Sequence, residues 1–131
     1  MKFENFLVDK EYITDMLQSI CFYDQDVFES ILYKIDKNNE EEVKLVIRYK
    51  VLLDYDQRPK QFQTIFKSTL RYYLTYNTSD KEFLEIYNKA TPSLEISDKP
   101  RNFFLWLWEE IFKKENYHVN DLSKYVVHEI H

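Results

Sequence analysis

No glycine occurs among the 131 residues, and there are only one cysteine, two methionines and three prolines. Each shortage excludes something. Without glycine the chain has no phosphate-cradling loop of the P-loop or dinucleotide type, no nucleophile elbow and no glycine cap for a left-handed helix terminus. A single thiol, Cys21, excludes an intrachain disulfide and any zinc site built on several thiolates. Set in Ile20-Cys21-Phe22 with no basic neighbour, it reads as a small core residue. Long apolar runs are missing too. The longest is Phe103-Phe104-Leu105-Trp106-Leu107-Trp108, whereas a membrane-spanning helix needs about 20 residues. No secretory leader and no polybasic anchor are recognisable, so a cytoplasmic protein without a membrane partner is expected.

What is present is a globular composition. Apolar residues make up 44%, and aromatics alone 18%, from eleven Tyr, ten Phe and two Trp, which is too much large apolar surface for a disordered chain. The apolar positions recur at steps of three and four, the signature of amphipathic helices. Tyr12, Ile13, Met16, Leu17 and Ile20 form a first stripe, and Val27, Phe28, Ile31, Leu32 and Ile35 a second behind an Asp24 cap. Asn39 is suited to cap a third helix from about Glu40 to Asp54, with Glu40, Glu41 and Glu42 in its first turn. The β-branched stretch Val43–Val51 also fits a strand. Helix is favoured because a lone strand would leave its backbone groups unpaired.

Phe62, Ile65, Phe66, Thr69, Leu70 and Tyr73 mark a helix from Lys60 to Tyr76. Ser79 and Glu82 form a capping box that opens one from Asp80 to Lys89. The stretch from Ala90 to Lys99 reads as the longest loop. Asp98 and Pro100 start the heaviest apolar helix, which ends at Asn116-Tyr117-His118, and Asn120 caps a last helix through Leu122, Tyr125, Val126 and Ile130. The expectation is one all-α domain over residues 1–131, with six or seven helices.

Chemistry-bearing constellations are sparse. His128 and His131 could share a helical face, and Glu115-Asn116-Tyr117-His118 has the Glu-x-x-His form used in carboxylate-bridged metal bundles, but the second such motif and the further inward Glu are missing. Asp24-Gln25-Asp26 and Asp54-Tyr55-Asp56 alternate carboxylates as a calcium loop does, without its later ligands or its glycine. Neither metal nor cofactor is therefore expected. Glu109-Glu110 is the carboxylate pair to inspect for acid–base work. No basic cluster exceeds two in a row, which argues against nucleic acid as partner. No catalytic set emerges, and a non-enzymatic role is expected.

Charge is the remaining signal. The chain holds 23 acidic and 18 basic side chains, a net of −5, and residues 1–35 carry seven acidic and three basic of these. Acidic surface interleaved with Tyr suits docking on a basic protein, with carboxylates steering the encounter and Tyr supplying contact area. On Asp24, Asp26, Glu29, Glu40, Glu41, Glu42, Asp54, Tyr55 and Asp56, and on its length and acidic balance, the chain resembles the small bacterial immunity proteins that neutralise colicin-like or contact-dependent growth-inhibition toxins. The resemblance is one of type, with no shared motif. It implies a cytosolic inhibitor that sets carboxylates into the basic cleft of a cognate toxin such as a nuclease. Two other readings compete: a small-molecule-binding or enzymatic helical domain with a pocket lined by Trp106, Trp108, Tyr72, Tyr73 and Tyr76, and a secretion chaperone or phage-encoded inhibitor.

Overall fold

The structure, a computed structural model, describes residues 5–20, 34–76 and 78–128. It is mostly helical, with one small sheet. Strand β1 (Phe6–Val8) leads into α1 (Lys10–Leu17), which tightens into a final turn over Gln18–Ile20. Asp9 caps α1 by accepting the Glu11 N–H. Helix α2 covers 40–57 and has three parts: α-helical Glu40–Val46, a π-helical stretch Ile47–Leu52, and α-helical Leu53–Gln57. Then follow α3 (Lys60–Thr75), α4 (Asp80–Lys89) and α5 (Pro100–Phe112), and finally strand β2 (Tyr125–Val127).

The caps lie where local chemistry predicts them. Asn39 accepts the Glu42 N–H, Ser79 accepts the Glu82 N–H, and Pro100 occupies the first turn of α5. Val43–Val51 is helical, and its β-branched content finds another use. Val43, Ile47 and Val51 are buried and Tyr55 half-buried, all at four-residue steps. In a regular α-helix each such step overshoots by about 40°, so the row would turn off the core within three steps. The wider turn of the π stretch offsets that drift and keeps the row facing inward.

Two expectations are corrected. Among the described residues there are five helices, not six or seven. The helix expected at Val27–Ile35 falls largely at 21–33, outside the described residues, as does Cys21. The helix expected after Asn120 is instead β2. Tyr125, Val126 and Val127 pair in parallel with Phe6, Leu7 and Val8, and the Phe6 and Tyr125 rings stack at 4.9 Å. β-branched and aromatic residues favour that ladder once a partner strand is beside them. The whole helical body serves as the crossover between the two strands.

Helix α5 also ends earlier than expected, at Phe112, because Lys113 adopts φ 55° and ψ −122°. Only glycine takes that conformation without steric cost, and the chain has none. Lys113→Gly is therefore expected to stabilise the protein by about 1 kcal/mol, even after the added entropy of the unfolded chain. A thermal melt of the variant below that of the parent would show the conformation to be unstrained.

The core is aromatic. Trp108, Phe103, Phe104, Phe83, Phe66 and Tyr87 are at most 2% exposed. Phe83 stacks on Phe104 at 4.7 Å, and Tyr87 meets Phe103 edge-on at 4.9 Å. Tyr87 donates its hydroxyl to the Leu94 carbonyl, pinning the loop after α4.

Candidate functional site

The acidic residues singled out in the sequence lie at the two ends of α2. Glu40, Glu41 and Glu42 occupy its first turn, where the helix dipole favours carboxylates. Glu40 and Glu41 are exposed. Glu42 turns back, its Oε1 accepting the Asp36 N–H at 3.4 Å, so it closes the loop before the helix. At the other end, Asp54 is held by Arg58, whose Nε and Nη2 reach its two oxygens at 3.2 and 3.0 Å. The same guanidinium grips Asp15 of α1 at 3.1 and 3.2 Å and lies over the Phe62 ring. These carboxylates raise the Arg58 pKa further, so its charge is fixed. Asp54 is thus tied into a link between α1 and α2, while Asp56 is exposed.

Tyr55 is only partly outward. Its ring packs against Phe66 and Phe112, and burial pushes its pKa up to about 12. Asp24, Asp26 and Glu29 lie outside the described residues. The structure therefore does not gather the named acidic residues of α2 into one patch: Glu41 and Asp56 stand roughly 20 Å apart along the helix.

Between those ends runs a feature the sequence reading passed over. Leu45, Tyr49 and Leu53 are 43%, 55% and 56% exposed and form a row at four-residue steps on the outer face of α2. The signal was present. With Val43, Val46, Ile47 and Val51 already supplying the inward face, α2 has more apolar residues than that one face can hold.

The cations along α2 are used within the chain. Lys44 bridges Glu40 at 2.8 Å and Glu109 at 3.1 Å, and those two carboxylates raise its pKa against the cost of its burial. Arg48 Nε donates to Glu110 at 2.5 Å, and Lys50 is engaged as well. Glu109 and Glu110 therefore diverge. The first is exposed beside Lys44, and the second is buried under Arg48, so they do not form a converging acid–base pair.

A second ion cluster centres on Glu115. Its carboxylate takes Lys67 Nζ at 2.7 Å and Arg71 Nη2 at 3.0 Å, and Lys67 first, then Arg71, draw its pKa below the usual carboxylate range. The Glu115 of the Glu-x-x-His sequence is thus neutralised by cations, and His118 is exposed. No group of three or more metal-ligating side chains comes together among the described residues.

No family model, no curated protein and no solved structure matches the chain.

The aromatic residues of the competing pocket reading line neither the open concavity along α1 nor the one under the 91–96 loop. Trp108 and Tyr73 are core residues, Trp106 is 7% exposed, and Tyr72 stacks on the exposed Tyr76 at 5.4 Å. Open concavities do occur among the described residues. One of about 420 Å³ lies along α1, by Asp9, Tyr12, Asp15 and Lys89, and one of about 530 Å³ lies under the 91–96 loop. In the first, the Asp9 and Asp15 carboxylates are already engaged as a helix cap and an Arg58 partner. No helix among the described residues is long and apolar enough to cross a membrane.

Proposed function

We propose that this protein is a binding protein of the immunity type, acting in the cytoplasm by docking on the basic surface of a cognate protein toxin and blocking its active-site cleft. One observation carries the reading. Five cations of the described surface are held in intrachain pairs: Lys44 on Glu40 and Glu109, Arg48 on Glu110, Arg58 on Asp15 and Asp54, and Lys67 and Arg71 on Glu115. The chain carries a net charge of −5, and Glu40 and Glu41 are exposed on the first turn of α2, Glu40 beside Lys44. Such a surface attracts a basic partner and, in a nuclease cleft, occupies the place of substrate phosphates.

The experiment is co-purification with the product of the adjacent open reading frame, followed by association kinetics. Replacing Glu40, Glu41 and Glu42 together by Lys is expected to slow association at least tenfold and to flatten its salt dependence, with a smaller change in dissociation. An adjacent product that does not bind, or one that binds and is not inhibited, would remove the reading.

A further inference from the structure

The outer face of α2 carries a row of apolar residues, with the exposed Arg48 beside it and a carboxylate toward each end. Leu45, Tyr49 and Leu53 project between Glu41 on one side and Asp56 on the other, all five exposed. In a regular α-helix a row of three at four-residue steps drifts by about 80°, and the π stretch Ile47–Leu52 reduces that drift. The device that keeps the inward row on the core thus also aligns the outward one. Flexible single apolar residues on a surface need no explanation, but three in register on one rigid helix make a contact ridge.

The charges around the ridge select its occupant. In a pairing of two copies, whether parallel or antiparallel, the acidic end of one helix would meet an acidic end of the other. In the antiparallel case Glu41 falls near Asp56 of its mate, and in the parallel case each carboxylate meets its own equivalent. Like charges so placed oppose self-association. Of the cations on α2 that could relieve this, Lys44 and Arg48 are already turned to Glu40, Glu109 and Glu110, and Lys50 is engaged as well. A partner with an apolar patch flanked by Lys or Arg meets no such obstacle.

We infer that Leu45, Tyr49 and Leu53 form the dehydrated centre of the interface with a basic protein partner, with Glu41 and Asp56 as its charged rim. The inference rests on the function proposed above and adds where the partner sits. Interfaces draw most of their affinity from a few central residues, Tyr prominent among them, whereas rim charges govern the encounter.

The probe is the purified product of the adjacent open reading frame, titrated against the full chain. Tyr49→Ala and Leu53→Ser are each expected to raise Kd at least tenfold, mainly through faster dissociation. Glu41→Lys is expected to act on the association rate. Leu84→Ser, an exposed leucine on α4, serves as the control and is expected to leave Kd within twofold. Amide hydrogen exchange on the unmutated chain guards against misfolded variants, because complex formation should slow exchange across 45–57. Tight binding that survives both ridge substitutions, with no protection at 45–57, overturns the inference and leaves the proposed function standing. A homodimer in sedimentation that Leu53→Ser dissolves also overturns it, naming a second copy as occupant. Failure of the adjacent product to bind the parent chain overturns both.

Discussion

Trp108→Ala is expected to destabilise the protein by about 3–5 kcal/mol, the largest single-residue effect in the described core. The indole is 1% exposed and is engaged on every side. Its ring centroid lies 4.4 Å from that of Phe112, the Arg71 guanidinium lies over it at 5.1 Å, and Nε1 donates to the Glu115 carbonyl at 2.6 Å. Truncation opens a cavity between α3 and α5 and removes the donor that holds the chain where it turns back after α5. The Arg71–Glu115 pair then loses the surface on which it rests. Trp108→Phe refills most of the volume and loses only the donated hydrogen bond, so its cost should be about 1–2 kcal/mol. Urea unfolding followed by circular dichroism separates the two. Near-equal losses for Ala and Phe would place the energy in the hydrogen bond instead of in packing.

The positions at which the sequence was readable share a property: their determinants are local. Asn39 before three glutamates, Ser79 three residues ahead of Glu82, and Pro100 ahead of an aromatic stripe each act within one helical turn, and each behaves as expected. The end of α5 was missed because the usual mark of a left-handed residue is glycine, and here a lysine takes that conformation with nothing in the sequence to announce it. The strands were missed for a different reason. Tyr125-Val126-Val127 fits a helical stripe as well as a ladder, and its partner Phe6-Leu7-Val8 lies at the opposite end of the described chain. Pairing over that separation leaves no local pattern. A strand at Val43–Val51 would have no partner, whereas Tyr125–Val127 finds one that is remote in sequence. The acidic surface was legible as composition. Its arrangement was legible only in part: the pairs Asp54–Arg58 and Glu40–Lys44 are four residues apart and local, whereas the reach of Arg58 to Asp15 and of Lys44 to Glu109 depends on how α1, α2 and α5 meet.

That remote pairing has a testable anchor in Thr69. Its hydroxyl is fully buried on α3, where it accepts the Asp9 N–H at 2.9 Å and donates to the Ile65 carbonyl at 2.7 Å. Asp9 is the junction between β1 and α1, and it is itself 8% exposed. Thr69 therefore fixes both the direction in which β1 leaves the sheet and the start of the first helix. Thr69→Val preserves shape and volume but strips the acceptor, leaving a buried amide without a partner. The expected cost is about 1–3 kcal/mol, set by the desolvation of that amide. The change should also concentrate locally. Amide exchange at Asp9 should accelerate far more than exchange in the α5 core, because the bonds from Phe6 to Lys124 and from His128 to Val8 both depend on β1 keeping its place. Thr69→Ser, which restores the hydroxyl and loses only a methyl group, should recover slow exchange at Asp9 while still costing some packing. If valine proves as stable as the parent and exchange at Asp9 is unchanged, the hydroxyl is not what holds the strand to the helices. The apolar contact of Val8 with the core, where it is fully buried, would then have to hold it alone.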